Sequence, residues 1–477
     1  MKRADLKGKK ITVFGLGLHG GGVDTVRFLV RCGAQVTVTD IKTRETLAPS
    51  LERLRSCKGV TYVLGQHRVE DFTRADMVIK TPAVPWNNKH VQMAIDHGVP
   101  VYVDISLFFL LYGRDVIGIT GTKGKSSTSQ FIVQLLRAAS LDPQPVGVSQ
   151  HPVLGALSKL SARGTVAVCE LSSWRCAALH RIARSPRIAV VTNILPDHRD
   201  YYKTLEEYAR DKYAITEHQK RGDVLIINAD DPVLSRWETQ ANVIRYSRKH
   251  IPDGPAVFIK HDIIYERTED ATIEVCALSD VPLSGAHNHE NFLAAVAAVR
   301  AFGVRITQIR AALDTIHLPE HRAEVVAQKS GVTYINDTAA TIPDAAIATL
   351  AAQEGRVVWI GGGSDKGVDY TELALLLAQQ VRGIVLFRGT ASDKIIAALR
   401  HHHRTPDAVV DTMEDAVAAA QSLAHSGDCV VLSPGAASFG LFAHEFDRGE
   451  QFRAIVHALP EADVSSDEIY DDCSNKS

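Results

Sequence analysis

Short apolar runs bounded by glycine or polar residues alternate along this chain with segments of helical periodicity. The first two runs, residues 10–14 and 35–40, flank a helical segment at 23–32. The stretch 256–284 instead alternates apolar and polar groups as antiparallel strands do. The alternation of strands and helices predicts an α/β fold with doubly wound, mostly parallel sheets. The other predicted strands are residues 77–80, 99–104, 116–120, 166–173, 188–194, 224–228, 333–337, 357–360, 383–387 and 429–432.

A chain of 477 residues is too long for a single core, so several domains are expected. The pattern predicts three. They are a Rossmann-like N-terminal domain at residues 1–105, a central P-loop ATPase-like domain at 106–317 and a Rossmann-like C-terminal domain at 318–460. Residues 461–477 form an acidic, serine-containing tail that we expect to be disordered.

The first strand is followed by closely spaced glycines. Gly15, Gly17 and Gly20 have the spacing of a dinucleotide-binding turn, and Asp40 ends the next predicted strand. Taken alone, this turn is typical of an NAD-dependent dehydrogenase. Because the same backbone geometry accepts any diphosphate, the turn does not by itself identify its ligand.

A second glycine turn follows the strand at residues 116–120. It leads from Gly121 through Gly124 to Lys125 and Ser126 and into a helical segment. Backbone N–H groups and the positive end of the helix dipole at such a turn bind phosphate; the lysine reaches the phosphates, and the serine hydroxyl can ligate Mg²⁺. Ile119 stands where the general P-loop pattern has a glycine, so this loop is a compact variant.

Composition argues against nucleic-acid binding, a cysteine-ligated metal site, secretion and membrane insertion. The chain has 53 basic and 55 acidic residues, a net charge of −2, which gives no electrostatic case for nucleic-acid binding. Its seven cysteines show no metal-type spacing, as expected for reduced thiols in the cytoplasm. Residues 1–10 are polar, so we expect no signal peptide, and the longest apolar run, 105–112, is too short to insert into a membrane.

Several motifs, in a fixed order, make the chain similar to the Mur ligase superfamily. These are the ATP-dependent enzymes that form amide bonds in peptidoglycan precursors, and the resemblance covers nearly all of the chain except the tail. The motifs are Gly121-Thr122-Lys123-Gly124-Lys125-Ser126, Glu170-Leu171-Ser172-Ser173, Asp197-His198, Lys212, His287-Asn288 with Asn291, His321-Arg322, Asn336-Asp337, residues 361–367 and residues 432–439. The ending Ser-Pro-x-x-Ala-Ser-Phe and the segment 447–452 most resemble the branch that joins glutamate to UDP-N-acetylmuramoyl-L-alanine.

The resemblance implies ATP and Mg²⁺ as cofactors and an acyl-phosphate intermediate. It implies Lys125, His198 and Lys212 as catalytic residues, with Lys212 carbamylated because an ammonium there would repel a metal ion. The implied metal ligands are Ser126, Glu170, His198 and Lys212. The implied ATP-binding residues are Gly121, Thr122, Lys123, Gly124, Lys125, Ser126, Ser127, Asn288, Asn291, Arg322 and Asp337, the last two requiring the third domain to close over ATP.

For the other substrates, the resemblance implies that the N-terminal glycine turn binds a UDP-sugar and not NAD. The implied UDP-sugar residues are Leu18, His19, Asp40 and Thr81, and the implied glutamate residues are Thr341, Lys366, Ser438 and Phe439. One departure bears on the amino acid: Ala339 stands where many D-glutamate-adding enzymes have a lysine.

D-glutamate is therefore the expected substrate, with L-glutamate as the alternative. A dehydrogenase, or a P-loop protein acting as a nucleotide-dependent switch, is the alternative from another class. We expect a monomer.

Overall fold

The computed structural model describes residues 1–18, 20–82, 84–112, 116–147, 153–160, 164–197, 201–283, 285–353 and 355–460. The chain divides into two compact units, Met1–His317 and one that begins at Leu318. The first unit contains two sheets and the second contains one. The predicted α/β class is confirmed, while the predicted domain bounds stay predictions. The acidic tail lies outside the described residues.

The N-terminal sheet is parallel and has the strand order β3-β2-β1-β4-β5. The glycine turn follows β1, the central strand, so it opens at the carboxyl edge, where ligands of such sheets bind. The strands are β1 (Lys10–Phe14), β2 (Gln35–Asp40), β3 (Thr61–Leu64), β4 (Met77–Lys80) and β5 (Val101–Tyr102). The helices are α1 (Gly21–Arg31), α2 (Ala48–Arg53), α3 (Glu70–Thr73), α4 (Lys89–Asp96) and α5 (Asp104–Leu111).

The second sheet has nine strands in the order β14-β13-β12-β11-β10-β9-β6-β8-β7. Strands β6 to β12 pair in parallel with one another, and β13 and β14 add the predicted antiparallel part at the edge beyond β12. The strands are β6 (Val116–Thr120), β7 (Asp142–Val146), β8 (Thr165–Glu170), β9 (Ile188–Val191), β10 (Val224–Asn228), β11 (Asn242–Ser247), β12 (Ala256–Lys260), β13 (Ile263–Arg267) and β14 (Thr272–Ala277). The helices are α6 (Lys125–Ala138), α7 (Ser173–His180), α8 (Leu205–Glu217), α9 (Ala286–Phe302) and α10 (Ile306–Arg310).

The unit that begins at Leu318 has one sheet, ordered β15-β16-β20-β17-β18-β19, in which only β15 is antiparallel to its neighbour. The strands are β15 (Glu324–Lys329), β16 (Val332–Asn336), β17 (Val357–Gly362), β18 (Val381–Phe387), β19 (Ala408–Val410) and β20 (Cys429–Leu432). The helices are α11 (Pro343–Ala351), α12 (Thr371–Gln380), α13 (Thr390–Arg400), α14 (Met413–Leu423) and α15 (Glu445–Ala458).

Five strands, β3, β7, β11, β15 and β19, have no counterpart in the sequence-based prediction, and four of them lie at sheet edges. The sequence of β7 is Asp-Pro-Gln-Pro-Val. Proline cannot donate to a sheet ladder and is tolerated at an edge, which is where β7 lies. Edge strands need less apolar character than central ones, so periodicity detects them poorly.

The apolar run near residue 105 forms helix α5, whose side chains are almost all buried. They join a core that extends under both sheets of the first unit. Within the described residues, none of the helices combines the length and apolar composition needed to cross a bilayer. The apolar character of α5 is explained by packing.

Candidate active site

The phosphate loop connects β6 to α6, and neighbouring strands fix its shape. The N–H of Thr122 donates to the Asn193 carbonyl (2.9 Å), and the N–H of Lys123 donates to the Asn193 side-chain oxygen (2.9 Å). The Lys125 ammonium donates to the carbonyls of Gly121 and Thr122, at 2.9 Å each. The lysine therefore lies folded over the loop whose N–H groups are expected to face phosphate.

Gly124 is needed at the start of α6 for two reasons. Its φ is +84°, which disfavours a side chain, and a Cβ there would lie 2.2 Å from the Asn291 side-chain oxygen. Asn291 also accepts a hydrogen bond from the Thr128 hydroxyl (3.4 Å). The first turns of α9, which carry Asn288 and Asn291, both buried, therefore pack against the phosphate loop.

We expect Gly124→Ala to raise the KM for ATP and lower the melting temperature. A residue with a Cβ costs roughly 1–2 kcal/mol in the left-handed conformation, and this one would also displace Asn291. Gly222→Ala is the matched control, since Gly222 has φ +92° but nothing within 4 Å of its Cβ position. Equal losses of ATP affinity in both variants would contradict the proposed contact with Asn291.

Ser126 and Glu170, two predicted metal ligands, are in direct contact. The Ser126 hydroxyl donates to the Glu170 carboxylate at 2.9 Å. Strands β6 and β8 are paired neighbours, and the register places Glu170 opposite Ile119, just before the phosphate loop. A hydroxyl and a carboxylate beside a phosphate loop are hard oxygen donors of the kind that bind Mg²⁺, so these residues fit that ion.

Lys212 of α8 also contacts the phosphate loop. Its ammonium donates to the Gly121 carbonyl (2.9 Å) and the Thr120 hydroxyl (3.5 Å), and lies 4.6 Å from the Tyr208 ring centre. The side chain is 1% exposed. Burial, reinforced by the charge of Lys125, lowers the pKa of Lys212 to about 7. Near neutral pH a large fraction of this amine is therefore uncharged.

The structure thus brings Lys125, Ser126, Glu170, Lys212 and Asn291 together around one turn. His198 lies outside the described residues. Asp197, the residue just before it, is described. Its negative charge partly opposes the lowering of the Lys212 pKa. Of the loop's remaining predicted ATP residues, Lys123 is exposed and Ser127 is half-buried.

A cavity of about 440 Å³ opens beside the N-terminal glycine turn. It is lined by the turn itself, by Thr81 and by residues of the second sheet's helical layer, including Arg175. Thr81 packs closely on the turn, since a Cβ on Gly15 would lie 2.6 Å from its methyl group. Leu18 is exposed, and His19 lies outside the described residues.

Asp40 accepts hydrogen bonds from the backbone of the glycine turn. One carboxylate oxygen accepts the N–H groups of Leu16 (2.8 Å) and Gly17 (3.1 Å), and the other accepts that of Lys42 (2.9 Å). Asp40 is 7% exposed. Its position therefore favours a role in holding the turn in shape, where the resemblance implies contact with the UDP-sugar.

We expect Asp40→Ala to raise the KM for the sugar nucleotide by at least about tenfold, since two N–H donors of the turn lose their acceptor at about 1–3 kcal/mol per buried group. Steady-state kinetics at saturating ATP would measure this, with little change expected in kcat. Asp40→Asn keeps one acceptor oxygen and should lose less. A larger defect in Asp40→Asn than in Asp40→Ala would count against this role.

Four cations line the same cavity and were missed from the sequence: Arg27, Arg53, Lys80 and Arg175. Lys80 is 3% exposed, and burial lowers its pKa to about 8. Arg175 is held by the Asp104 carboxylate (3.2 Å) and the Gly147 carbonyl (3.0 Å). Two of them could have been found from the sequence: Lys80 ends an apolar strand, and Arg175 comes directly after Ser-Ser-Trp. These cations suit a diphosphate ligand.

In the unit that begins at Leu318, the predicted glutamate residues follow the neighbouring strands β16, β17 and β20. The Lys366 ammonium donates to the Thr341 hydroxyl at 2.8 Å, and burial lowers the pKa of Lys366. Ser438 is buried and Phe439 is 56% exposed. The loops at the carboxyl edge of this sheet therefore carry the hydrogen-bonded pair of Lys366 and Thr341 and the exposed ring of Phe439.

Arg322 and Asp337, predicted to contact ATP, belong to this same unit. Asp337 is buried, and one of its oxygens accepts the hydroxyls of Thr349 (2.6 Å) and Ser433 (2.7 Å). Burial raises the pKa of Asp337. Arg322 is exposed.

Arg448 belongs to the segment 447–452 that carries part of the family resemblance, but the sequence assigned it no role; it is fully buried behind these loops. Its guanidinium donates to the Thr338 hydroxyl (2.9 Å), the Thr338 carbonyl (3.0 Å) and the Ala436 carbonyl (3.4 Å). It therefore joins the turn that leads to Thr341 to the turn that leads to Ser438. A buried arginine at one helical position leaves no periodic signal in the sequence.

Three family models match successive parts of the chain. The Mur ligase MurD-like N-terminal domain matches residues 9–103, the Mur ligase middle domain matches 119–299, and the Mur ligase glutamate ligase domain matches 321–435. Together with the three sheets and the phosphate-loop site, these matches define the class of protein. The chain belongs to the Mur ligase family.

Its branch within that family is the one whose members are named UDP-N-acetylmuramoylalanine–D-glutamate ligases. The relative from Roseiflexus sp. (strain RS-1) is 40% identical over 465 residues, covering 95% of this chain and 99% of the relative. The relative from Symbiobacterium thermophilum is 35% identical over 457 residues, covering 94% and 98%.

Solved structures support the fold alone. UDP-N-acetylmuramate-alanine ligase MurC from Thermotoga maritima has a TM-score of 0.59 at 18% identity and covers 94% of this chain and 99% of its own. MurF from Acinetobacter baumannii has a TM-score of 0.57 at 18% identity and covers 77% and 87%.

Proposed function

We propose that this chain is an ATP-dependent ligase that joins D-glutamate to the carboxylate of UDP-N-acetylmuramoyl-L-alanine in peptidoglycan precursor synthesis. The observation that carries the proposal is the convergence of Lys125, Ser126, Glu170 and Lys212 on one phosphate loop. A carboxylate does not react with an amine in water without activation. Such a loop provides activation by phosphoryl transfer, which depends on positioning and charge neutralisation.

Ser126 and Glu170 would hold Mg²⁺, which supplies charge neutralisation at the β- and γ-phosphates of ATP. Lys125 binds the same phosphates, together with the N–H groups at the start of α6, since those of Thr122 and Lys123 donate to Asn193. Asn288 and Asn291 at the start of α9 complete the ATP site within the first unit. Arg322 and Asp337 remain predicted ATP contacts contributed by the second unit.

Lys212 is proposed to carry a carbamate. The ammonium first loses a proton, and the uncharged amine then attacks the carbon of CO₂ and releases a second proton, so a cation becomes an anion. Its low pKa supports this step, because only the neutral amine is a nucleophile. The resulting anion would face the positive charge of Lys125, and with His198 it would be available as a second metal ligand.

The cavity beside the N-terminal glycine turn is proposed to hold the UDP part of the sugar nucleotide. Thr81 and the turn line it, and Lys80, Arg53 and Arg175 supply positive charge there. Arg175 lies in the first turn of the helix that follows Glu170, so the cavity adjoins the strand end that carries a metal ligand. The acyl end of the substrate would therefore extend toward the phosphate loop.

The amino acid is proposed to bind at Lys366 and Thr341, with Ser438 and Phe439. The lysine and hydroxyl suit a side-chain carboxylate. The D enantiomer is favoured because the relatives at 40% and 35% identity carry D-glutamate in their names. Ala339, between Asp337 and Thr341, lacks the lysine of many such enzymes, so L-glutamate stays the alternative.

The reaction balances in two steps. A carboxylate oxygen attacks the γ-phosphorus of ATP, and the bond to ADP breaks. The neutral amine of glutamate then attacks the acyl carbon, the tetrahedral intermediate expels inorganic phosphate, and the nitrogen loses a proton. Both ATP and UDP-sugars are cytoplasmic metabolites, so we place the reaction in the cytoplasm.

ADP release with single and combined substrates tests this proposal. We expect release only when ATP, UDP-N-acetylmuramoyl-L-alanine and D-glutamate are all present, with little turnover for L-glutamate. Turnover with L-glutamate alone would reassign the amino acid but keep the reaction. Hydrolysis that needs neither co-substrate would favour a nucleotide-dependent switch, and a nicotinamide absorbance change would favour a dehydrogenase.

A further inference from the structure

Two histidines and a glutamate meet at one end of the helix pair α7 and α8. His180 is the last residue of α7, Glu217 is the last residue of α8, and His218 caps α8. A ring nitrogen of His180 lies 2.6 Å from the Glu217 carboxylate, and the two imidazole centres are 5.9 Å apart. One ligand atom from each of the three residues lies within 4.8 Å of the others.

His218 has a nitrogen in need of a partner. Its Nε2 is shielded from solvent and has no hydrogen-bond partner among the residues that the structure describes. A buried polar atom left without a partner costs about 1–3 kcal/mol. A metal ion bound to this nitrogen would remove that cost.

The electrostatics of this end of the helix pair favour a cation. The carbonyl ends of α7 and α8 both lie here, each with the partial negative charge of a helix C-terminus, and Glu217 adds a full one. His180 and Glu217 also line a cavity of about 410 Å³, whose other charged lining residues are Asp211, Arg181 and Arg210. The cavity leaves room for water as a further ligand.

We propose that His180, Glu217 and His218 form a binding site for one divalent transition-metal ion of the zinc class. Two imidazoles and a carboxylate match the ligand preferences of Zn²⁺. The Ser126 and Glu170 pair offers only oxygen and is suited to Mg²⁺, so the two sites differ in chemistry. Zinc–ligand bonds of about 2.1 Å separate tetrahedral ligand atoms by about 3.4 Å, so the His180 nitrogen and the Glu217 oxygen, which lie 2.6 Å apart, would move apart by ~1 Å on binding.

The proposed metal site lies between two helices that also position the phosphate-loop site. Helix α7 follows the strand that ends at Glu170, and α8 carries Lys212. A metal ion at their shared end ties together the two helices that flank the phosphate-loop site. Because the metal binds the folded chain, it raises the melting temperature.

The test is calorimetric titration of the full, tag-free, chelator-treated chain with Zn²⁺ in the absence of ATP and Mg²⁺. We expect one strong site per chain that is lost in His218→Ala and in Glu217→Gln, together with the Zn²⁺-induced rise in melting temperature. The matched control is the double variant His402→Ala, His403→Ala. It removes two histidines from the run His401-His402-His403, which lies outside the proposed site.

The outcomes are distinct. Binding that persists in the control and disappears in Glu217→Gln, whose side chain keeps its size, supports the site. No strong binding by the unaltered chain, binding unaffected by Glu217→Gln, or binding lost in the control would overturn the proposal. Co²⁺ gives a second readout that does not depend on activity, since its visible absorption should appear in the unaltered chain and be absent in His218→Ala.

Discussion

Lys125→Ala is expected to lower kcat by about 10²–10³-fold, the usual cost of removing one preorganised group that stabilises developing charge. The Lys125 ammonium lies over the phosphate loop, bonded at 2.9 Å to the carbonyls of Gly121 and Thr122, and no other described lysine is bonded to both. ADP release under saturating substrates measures the effect. The unfolding midpoint should change little, because the side chain is only half-buried.

Lys123→Ala is the matched control, because Lys123 belongs to the same loop but its side chain is exposed. Its backbone N–H, which donates to Asn193, is kept in the variant. We expect a loss of less than about tenfold, the worth of 1.4 kcal/mol. Equal losses in the two variants would contradict the assignment of Lys125 to the transferred phosphoryl group.

Lys212→Ala is expected to lower kcat by at least about 100-fold, because charge neutralisation by a metal is worth several kcal/mol and 1.36 kcal/mol is tenfold. Lys212→Arg should be as inactive, since a guanidinium keeps a positive charge and does not form the carbamate. Protein freed of CO₂ should lose activity and regain it when CO₂ is restored. Full activity in Lys212→Ala would contradict the proposed role.

The pH dependence of that recovery has a definite sign. The pKa of Lys212 is lowered from 10.5 to about 7, so its neutral fraction grows as pH rises from 6 to 8. Recovery at a fixed concentration of dissolved CO₂ should therefore be faster at pH 8 than at pH 6. A recovery rate independent of pH over this range would mean that the amine of Lys212 does not limit it.

Central strands and glycine turns were predictable from the sequence because their physics is local. The runs at β1, β6 and β9 are mostly apolar, as is expected of strands buried on both faces. The turns after β1 and β6 need glycine for their backbone conformation, and Gly17 and Gly124 have positive φ. Apolar runs and glycine positions of this kind can be read directly from the sequence.

Other features depend on tertiary packing and left no local signal. Arg448 lies far along the chain from Thr338 yet bonds to it, and Asp40 turned out to hold the backbone of the glycine turn. His180 and His218 meet only because α7 packs on α8. The other site residues were predicted from the family resemblance, and their roles stay predictions; the structure places Ser126 in contact with Glu170.

Oxygen-isotope transfer tests the central claim, activation of a carboxylate at the phosphate loop, most directly. UDP-N-acetylmuramoyl-L-alanine labelled with ¹⁸O in its alanyl carboxylate is converted with ATP and D-glutamate, and the released phosphate is analysed by mass spectrometry. An acyl-phosphate route predicts that one labelled oxygen moves into inorganic phosphate, with ADP as the other product. Unlabelled phosphate, or label recovered in AMP, would contradict the account.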